Sequence, residues 1–357
     1  MARGHVLTAL DDLDPQVHGP GLQEPLLIAG HVSSGAVRFL RGDVTDRGAL
    51  ASALEGQEAV VHLAAAVGVG QSMYEPHYYV DTNATGTGLL LDLIAHARGQ
   101  VGKLVVASSR SLYGEGAYGC SGCGGRDPAE RTPARLAQGQ WEVPCPTCGA
   151  ATEPRPNGET KPADIASVYA ATKKHQEDLF VCFGRAYRIP TFALRFFNVF
   201  GPRQNLDNPY TGVVAIFLSW LLNGRPPLLF EDGQQSRDLI DVRDIAEAIR
   251  LAVESDRGGQ HVLNVGTGRR TTVAEVAAAL TESIGADIPT EHLGKYRAGD
   301  IRHCFADPTR AEEILGFRAR FTLKDALPPL IEWCRTHKPL DRVEDSLREL
   351  TERRLVR

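Results

Sequence analysis

Residues 59–65 of this 357-residue chain read Ala-Val-Val-His-Leu-Ala-Ala, and residues 103–108 read Lys-Leu-Val-Val-Ala-Ser. Both are short, mostly apolar runs of the kind found in strands that are buried on both faces of a sheet. Residues 83–97, which lie between them, have the pattern of a helix. A strand, a helix and a second strand in this order predict a parallel sheet that is covered by helices.

The same alternation continues in both directions from these segments. Strands are predicted at residues 6–10 and 37–40 and a helix at 46–54; beyond an irregular region, a helix at 167–187 precedes a strand at 191–196. We therefore predict an α/β fold with a doubly wound parallel sheet, in which ligands bind beyond the carboxyl ends of the strands.

Composition and charge exclude some classes of protein. Hydrophobic residues make up 43% and charged residues 23% of the chain, as in ordinary soluble domains. The net charge of -5 argues against nucleic-acid binding, and no apolar run is long enough to span a membrane. Acidic residues near the start argue against a signal peptide, so we expect a cytoplasmic protein with reduced thiols. Cys182, Cys304 and Cys334 lie in apolar contexts and are expected in the core.

Tyr169 and Lys173 are four residues apart, which puts both side chains on one face of the predicted helix. A lysine ammonium near a phenol lowers the phenol pKa from about 10, so that the tyrosine can act as a general base. By itself this spacing more often belongs to two surface neighbours. Ser109 strengthens the catalytic interpretation, because it ends a predicted strand at the edge where a parallel sheet presents groups to ligands.

Six segments occur in an order that is typical of one family. They are HLAA (62–65), SSRSLYG (108–114), YAATK (169–173), LRFFNVFGPR (194–203), RDLIDVRDIA (237–246) and NVGTG (264–268). With this ordered set the chain, from about residue 3 to 333, resembles the extended short-chain dehydrogenases/reductases that act on nucleotide sugars. Each motif is moderately specific, whereas the ordered set is highly specific.

The resemblance implies a role for each matching residue. Ser109, Tyr169 and Lys173 would be catalytic, and Lys173 would also bind the nicotinamide ribose of NAD. The implied NAD-binding residues are Asp11, Asp43, Val44, Leu63, Ala64, Ala65, Asn83, Tyr169, Lys173 and Phe197. The residues implied for the nucleotide-diphosphate sugar are Ser109, Asn198, Arg237, Arg297 and Asp300.

The resemblance also implies a reaction. Tyr169 would take the proton of the sugar C4 hydroxyl while a hydride passes to NAD, and return of the hydride to the opposite face of the 4-keto sugar would invert C4. Arg110 and Ser111 stand where 4,6-dehydratases have an Asp-Glu pair, which argues against dehydration. Residues 67–74 and 208–213 most resemble dTDP-L-rhamnose 4-epimerases. UDP-glucose 4-epimerase, or another nucleotide-sugar dehydratase or reductase, is the alternative.

The domain organisation follows from the same resemblance. We expect a dinucleotide-binding domain at residues 1–200, a mainly substrate-binding lobe at 201–340 and a charged helix at 341–357. A homodimer formed through the helix of Tyr169 is a further family expectation.

Residues 114–162 interrupt the expected fold and are called the insertion below. It contains two Cys-x-x-Cys pairs, Cys120 with Cys123 and Cys145 with Cys148. Four thiolates can close a tetrahedral site, so we predict a structural zinc ion. Unligated thiols or a decayed site are the alternative.

The start of the sequence departs from the family pattern. Family members begin with a strand, a glycine-rich turn and a helix, whereas residues 2–5 already resemble the turn before the second strand. About 20–25 residues of the expected βαβ unit are therefore absent from this sequence. A misplaced start codon or a fragment would explain this, as would a degenerate protein; the intact catalytic residues favour the first explanation. The alternative from another class is a cofactor-less, non-catalytic protein that binds a sugar nucleotide or a protein partner.

Overall fold

The computed structural model of the protein describes residues 4–97, 99–124, 131–204, 212–297 and 300–337. The charged helix predicted at 341–357, residues 2–3 of the N-terminal turn and most of the segment 208–213 lie outside these residues.

The strands are short and are distributed along the whole described chain. In chain order they are β1 (Leu7–Asp11), β2 (Val37–Arg41), β3 (Ala59–His62), β4 (Lys103–Ser109), β5 (Ala117–Gly119), β6 (Glu153–Arg155), β7 (Thr191–Phe196), β8 (Asn198–Phe200), β9 (Leu228–Leu229), β10 (Ser236–Arg237), β11 (Leu239–Asp241), β12 (Gln260–Val265), β13 (Thr271–Thr272), β14 (Glu291–His292) and β15 (His303–Cys304).

The helices alternate with these strands. They are α1 (Pro15–His18), α2 (Ala29–Ser33), α3 (Arg47–Leu54), α4 (Val69–Ser72), α5 (Pro76–Val80), α6 (Gly86–His96), α7 (Pro133–Leu136), α8 (Val168–Tyr187), α9 (Val213–Leu222), α10 (Val242–Glu254), α11 (Val273–Ile284), α12 (Thr309–Leu315) and α13 (Leu323–His337). Short 3₁₀ turns lie at Leu26–Ile28 and Arg110–Tyr113, and a π-helical turn at Asp81–Thr85 leads into α6.

The chain divides into two compact units. The first comprises Met1–Ser108, Ser167–Ala193 and Ala252–His261, and the second comprises Ser109–Ala166, Leu194–Leu251 and Val262–Arg357.

A parallel sheet forms the centre of the first unit. Strands β3 and β4 pair in parallel with Ala59 opposite Lys103, and the strand order is β12-β7-β4-β3. Leu104, Val105 and Val106 in β4 are completely buried, as expected for a strand with helices on both faces. The predicted α/β fold with a parallel sheet is therefore confirmed.

The sheet of the first unit is interrupted between β1 and β3. Strand β1 pairs in parallel with β2 in a separate two-stranded sheet, with Leu7 opposite Val37. Within the described residues, neither β1 nor β3 has a strand on its other side. Leu7 and Val61, one on each of these edges, are 43% and 37% exposed. The outer edges of β1 and β3 therefore have backbone groups without a strand partner in the described part of the chain.

Helix α8 carries the predicted catalytic pair and is well defined at both ends. The Ser167 hydroxyl accepts a hydrogen bond from Ala170 N at 3.1 Å, which caps the first turn. At the other end Arg188 adopts a left-handed conformation with φ 57°, which ends the helix. One face of α8 is buried, and on it Glu177 Oε2 accepts a hydrogen bond from Ser108 Oγ of β4 at 2.7 Å. The sheet therefore fixes the rotation of α8 about its axis.

The second unit contains several small sheets and an apolar core. Strand β10 lies between β13 and β15, β8 pairs with β11, β9 with β14, and β5 with β6. Helices α9, α11 and α13 bury one cluster around Trp220, Leu280 and Leu330. This core supports the small sheets that carry the polar residues described below.

Three sequence predictions need correction. The strand predicted at 59–65 ends at His62, because Ala66 bonds through both backbone groups to the Asn83 side chain instead of to a neighbouring strand. The helix predicted at 83–97 begins as the π-helical turn and becomes α-helical at Gly86. Cys182 is exposed, since it lies on the outer face of α8, whereas Cys304 and Cys334 are buried as expected.

Candidate active site

Tyr169 and Lys173 lie one turn apart near the start of α8. The Tyr169 ring meets the ring of Tyr79 edge to face, with 6.4 Å between their centroids. The Lys173 side chain points to the buried side of the helix and is almost completely removed from solvent. Burial lowers the pKa of Lys173 to about 7, and the nearby Glu177 carboxylate opposes this shift. The charge of Lys173 therefore depends on its surroundings near neutral pH.

A buried polar network surrounds the Lys173 ammonium. Lys173 Nζ donates to Gln176 Oε1 at 2.6 Å, and Gln176 Nε2 donates to Thr87 Oγ1 at 2.9 Å and lies 3.1 Å from His62 Nε2. Burial and the Lys173 charge lower the pKa of His62 to about 3, so the imidazole is neutral. His62 is thus a core histidine whose ring is hydrogen-bonded within the fold. Gln176 was not predicted as a partner of Lys173, although it lies three residues further along the same helix, a spacing that brings side chains together.

Asn83 fixes the loop that follows β3. Its Oδ1 accepts from Ala66 N at 2.7 Å, and its Nδ2 donates to Ala66 O at 3.1 Å and to Thr172 Oγ1 at 2.9 Å. Asn83 is completely buried, and Thr172 precedes Lys173 on α8. The side chain of Asn83 therefore ties the loop of residues 63–66 to the helix of the catalytic pair.

The remaining predicted cofactor residues of the first unit lie at strand ends. Asp11 ends β1 and accepts a hydrogen bond from Leu13 N at 2.8 Å, and Asp43 follows β2 and accepts from Thr45 N at 2.7 Å. Val44 is buried, whereas Leu63 is 50% exposed. Ala64 and Ala65 are partly buried in the loop between Leu63 and Ala66. These residues lie at the carboxyl ends of parallel strands, where α/β folds bind ligands.

In the second unit, Ser109 ends β4 and caps the turn after it. Its hydroxyl accepts hydrogen bonds from Ser111 N at 3.1 Å and from Ser111 Oγ at 2.9 Å. Phe197 packs against Tyr113 with 6.1 Å between ring centroids, and the Tyr113 hydroxyl donates to Asn264 Oδ1 at 2.6 Å. The turn after β4 is thereby held in a fixed conformation by buried aromatic and amide groups.

Arg237, Arg297 and Asp300 form one group, which we call the arginine–aspartate cluster. Asp300 Oδ1 accepts from Arg237 Nη2 at 2.9 Å, and Asp300 Oδ2 accepts from Arg297 Nη2 at 2.7 Å. Burial opposes the charge on Asp300, but the two guanidinium groups outweigh it and lower the pKa of that carboxyl. The Arg237 pKa is lowered by burial, with Asp300 opposing the shift. The cluster thus presents two cations around one carboxylate, with Arg237 buried and the Arg297 side chain 42% exposed.

Asn198 begins β8, and its backbone N donates to Asp238 O at 2.9 Å. Its side-chain Oδ1 is buried and has no hydrogen-bond partner in the part of the chain that the structure describes. Such an orphaned amide oxygen costs stability unless a ligand or water supplies a donor. This is the signal expected of a side chain that meets a ligand.

The glycine-containing motif at residues 264–268 has a structural role. Asp238 Oδ1 accepts from Thr267 N at 2.8 Å, and its Oδ2 accepts from Gly268 N at 2.9 Å. A Cβ at Gly266 would lie 2.8 Å from Asp238 Oδ2, so a side chain there would clash. The motif therefore turns tightly around a buried carboxylate.

Four cysteines of the insertion come together. The Sγ atoms of Cys120, Cys123, Cys145 and Cys148 all lie within 4.8 Å of one another, with 3.6 Å between Cys120 and Cys148 and 3.4 Å between Cys123 and Cys145. These distances exclude disulfides, whose sulfurs are about 2.05 Å apart. Zn–S bonds of about 2.3 Å in a tetrahedron place sulfurs about 3.8 Å apart. The donor set and its spacing fit one zinc ion.

The fold and these clusters define a class: an α/β protein with a Tyr–Lys pair on a helix beside a parallel sheet and, in its second unit, an arginine–aspartate cluster. The NAD dependent epimerase/dehydratase family matches residues 1–133 and 145–266. The chain belongs to this family of enzymes. Its sequence is 32% identical to a dTDP-L-rhamnose 4-epimerase of Burkholderia thailandensis, over 93% of this chain and 89% of that protein. It is 31% identical to a UDP-glucose 4-epimerase of Mycolicibacterium smegmatis, over 94% and 92% of the two chains.

Solved structures agree with this assignment. A UDP-N-acetylglucosamine 4-epimerase of Methanobrevibacter ruminantium superposes with a TM-score of 0.74 at 28% identity, covering 93% of this chain and 91% of that one. A UDP-glucose 4-epimerase of Thermus thermophilus, solved with NAD, gives a TM-score of 0.69 at 27% identity over 94% and 92% of the chains. Among the described residues, no helix has the length and hydropathy needed to cross a membrane.

Proposed function

We propose that this protein is an NAD-dependent epimerase that inverts C4 of a nucleotide-diphosphate sugar. The observation that carries the proposal is the Tyr169–Lys173 pair on α8, in which the lysine is buried and held by Gln176. Family membership and the epimerase relatives support the same reaction.

Tyr169 is the proton-transfer residue in this proposal. The Lys173 cation one turn away favours the phenolate, so Tyr169 can take the proton of the C4 hydroxyl and later return it. Ser109, with its hydroxyl at the end of β4, is the second catalytic side chain of this proposal and is assigned to the sugar. NAD, when bound, accepts and returns the hydride. The protein therefore supplies proton transfer and orientation.

The residues proposed to hold NAD fit the cofactor in part. Asp11 and Asp43 lie at strand ends and would bind the adenosine moiety, Asn83 holds the loop of residues 63–66, and Lys173 would bind the nicotinamide ribose. Val44, Leu63, Ala64, Ala65 and Phe197 would supply apolar contacts. The sequence has no glycine-rich turn between a first strand and a helix, so the usual backbone donors for the pyrophosphate are missing from this set.

We assign the nucleotide diphosphate to the arginine–aspartate cluster. Arg237 and Arg297 provide two fixed guanidinium groups, which suit a diphosphate, and Asp300 can accept from a ribose hydroxyl. Asn198, with its unpaired Oδ1, is assigned to the sugar diphosphate. For the sugar we propose L-rhamnose carried on dTDP, in accordance with the 32% identical relative; UDP-glucose is the second candidate.

The four cysteines of the insertion are proposed to bind a structural zinc ion. All four positions of a tetrahedral ion would be filled by protein, which leaves none for substrate. Free thiolates need a reducing compartment, which supports a cytoplasmic protein. The exposed face of α8, which includes His175, Asp178 and Cys182, is the proposed contact of a homodimer.

Purified protein saturated with NAD should be incubated with dTDP-L-rhamnose, UDP-glucose and UDP-glucuronic acid, and C4 inversion followed by NMR. We expect turnover of dTDP-L-rhamnose, and its loss by at least a hundredfold in Tyr169→Phe with nucleotide binding retained. If only UDP-glucose is turned over, UDP-glucose is the substrate and the proposed C4 inversion still stands. Nucleotide-sugar binding without NAD binding or turnover would instead favour a non-catalytic binding protein.

A further inference from the structure

Two glutamates of the insertion hold the segment that leads from Asp300 into β15. Glu115 Oε1 accepts from the backbone N of Arg302 at 3.0 Å and of His303 at 3.1 Å. Glu142 Oε1 accepts from Arg302 Nε at 3.0 Å, and its Oε2 lies 3.3 Å from His303 Nε2. Side chains of the insertion therefore contact both the backbone and the side chains of residues 302–303.

Arg131 makes a second connection from the insertion. Its Nη1 donates to Glu231 Oε1 at 2.8 Å, and its Nη2 donates to the backbone O of Asp300. The side chains of Arg131 and Glu231 are 4% and 1% exposed, so this ion pair is shielded from solvent. The carbonyl of a residue in the arginine–aspartate cluster is thus bound directly by the insertion.

The same segment holds Arg237. Arg237 Nη1 donates to Arg302 O at 3.2 Å, and Arg237 Nη2 donates to Ile301 O at 2.9 Å as well as to Asp300. Ser236 N donates to Arg302 O at 2.9 Å, and Ser236 Oγ lies 2.7 Å from His303 Nδ1. Any shift of residues 300–303 will therefore move the Arg237 guanidinium.

The four cysteines are close in the sequence to Glu115 and Glu142, so a metal bound to the cysteines can hold both glutamates in place. Cys120 follows β5, which begins two residues after Glu115, and Cys145 comes three residues after Glu142. Apart from the metal ligands, the strands of this region contribute one antiparallel pair of three residues each, β5 with β6. Since this pair is short, a bound ion would add to the restraint that the buried Val143 side chain and the Pro144–Ala151 bridge place on the Glu142 segment.

We infer that the insertion, through Glu142, sets the position of Arg237 and Asp300 and thereby the affinity of the enzyme for the nucleotide diphosphate. The inference rests on the proposed assignment of the arginine–aspartate cluster to that group. Glu142 is a positioning residue, because it acts through Arg302 and His303. Zinc loss would then weaken nucleotide binding without touching the proton-transfer residues.

The experiment measures the dissociation constants of dTDP and UDP by calorimetry in the zinc-containing full chain. Glu142→Ala should raise the constant for the preferred nucleotide about tenfold and raise KM in parallel, with kcat changed less than twofold. Glu153→Gln is the matched control, because Glu153 is an exposed residue of the same insertion whose side chain pairs with Arg155 at the surface. The Glu142 side chain is 53% exposed, so its truncation leaves no buried cavity. Glu142→Gln gives a second readout if the alanine variant does not fold.

Chelation of the metal supplies the coupled test. It should weaken nucleotide binding by the wild type about as much as Glu142→Ala does, and have little further effect on that variant. Unchanged binding in both Glu142 variants, or equal losses on chelation with and without Glu142, would overturn the inference. Arg237→Ala separates the two proposals. If this variant binds the nucleotide as well as wild type does, the assigned nucleotide site is wrong. If Arg237→Ala weakens nucleotide binding but the Glu142 variants do not, only the positioning role of Glu142 is contradicted.

Discussion

Lys173 Nζ donates to Gln176 Oε1 at 2.6 Å within the buried face of α8. The amide of Gln176 is oriented for this acceptor role, because its Nε2 faces Thr87 Oγ1 and His62 Nε2. A hydrogen bond to the charged form of a group favours that form. Gln176 therefore helps to keep Lys173 protonated against the effect of burial.

Replacement of Gln176 by Leu should lower the Lys173 pKa further. Since the proposed mechanism needs the lysine cation, the basic limb of the pH profile of kcat should move to lower pH by about 0.5–1 unit. Gln140→Leu, at an exposed position, is the control. A basic limb that stays in place in Gln176→Leu would contradict the proposed role of this hydrogen bond.

The pKa of Lys173 also predicts how stability depends on pH. Burial lowers the Lys173 pKa from 10.5 to about 7 in the folded protein. Below pH 7 the folded protein without NAD therefore carries the full free-energy cost of burying a charged lysine. Between pH 7 and 10.5 the unfolded chain binds more protons and stability rises with pH; above that range the cost is gone.

Lys173→Met removes this cost at every pH. Thermal unfolding of NAD-free protein should show a melting temperature about 2–5 °C higher than wild type at pH 6, with the gain shrinking toward pH 9.5. Lys174→Met is the control, because the side chain of Lys174 is 29% exposed and reaches solvent. A gain that is independent of pH would mean that Lys173 is not the titrating group.

The zinc proposal predicts how the thiols react. With the ion bound, and at protein concentrations low enough to keep the proposed dimer dissociated, a disulfide reagent should modify about one thiol per native chain, Cys182, which is exposed, while Cys304 and Cys334 stay buried. After chelation the four ligand cysteines should react as well. Elemental analysis should find about one zinc per chain, and Cys182→Ser should remove the fast thiol. Rapid reaction of all four ligand cysteines before chelation would show that no metal protects them.

The sequence predicted the elements that depend on local patterns. The apolar run at 103–108 is β4, and Ser167 caps α8 where the pattern began. Cys182 was misplaced because its apolar neighbours on α8 face the interior while Cys182 itself faces solvent. The clustering of the two Cys-x-x-Cys pairs could be predicted, because metal-binding cysteines recur at fixed spacing in the sequence.

The contacts that join distant parts of the chain could not be predicted from the sequence. Glu142 and Arg302 meet only because the insertion folds onto β10 and β15, and no periodicity in either segment indicates this. The same holds for His62 and Gln176, which are 114 residues apart in the sequence. Pairing of this kind depends on tertiary structure, so candidate residues could be predicted from local patterns but their partners could not.

The open edges of β1 and β3 lead to the last prediction. Each edge lacks a neighbouring strand within the described residues, and Leu7, Val61 and Leu63 are exposed beside them. A parallel strand placed between these edges would pair with both and bury apolar surface. A glycine-rich turn and helix after that strand would supply backbone N–H groups for the NAD pyrophosphate.

We therefore expect the 357-residue chain to bind NAD weakly, and an added segment ahead of Met1, with the strand, glycine-rich turn and helix of a family member, to change this. NAD affinity, measured by calorimetry, should rise at least tenfold, and the melting temperature of the NAD-free protein should rise by several degrees because the sheet becomes continuous. The control is the same segment with each turn glycine replaced by valine, which should keep much of the gain in stability and lose the gain in affinity. If the 357-residue chain already binds NAD tightly, or the added segment changes neither quantity, the gap between β1 and β3 is not the place where the pyrophosphate-binding unit belongs.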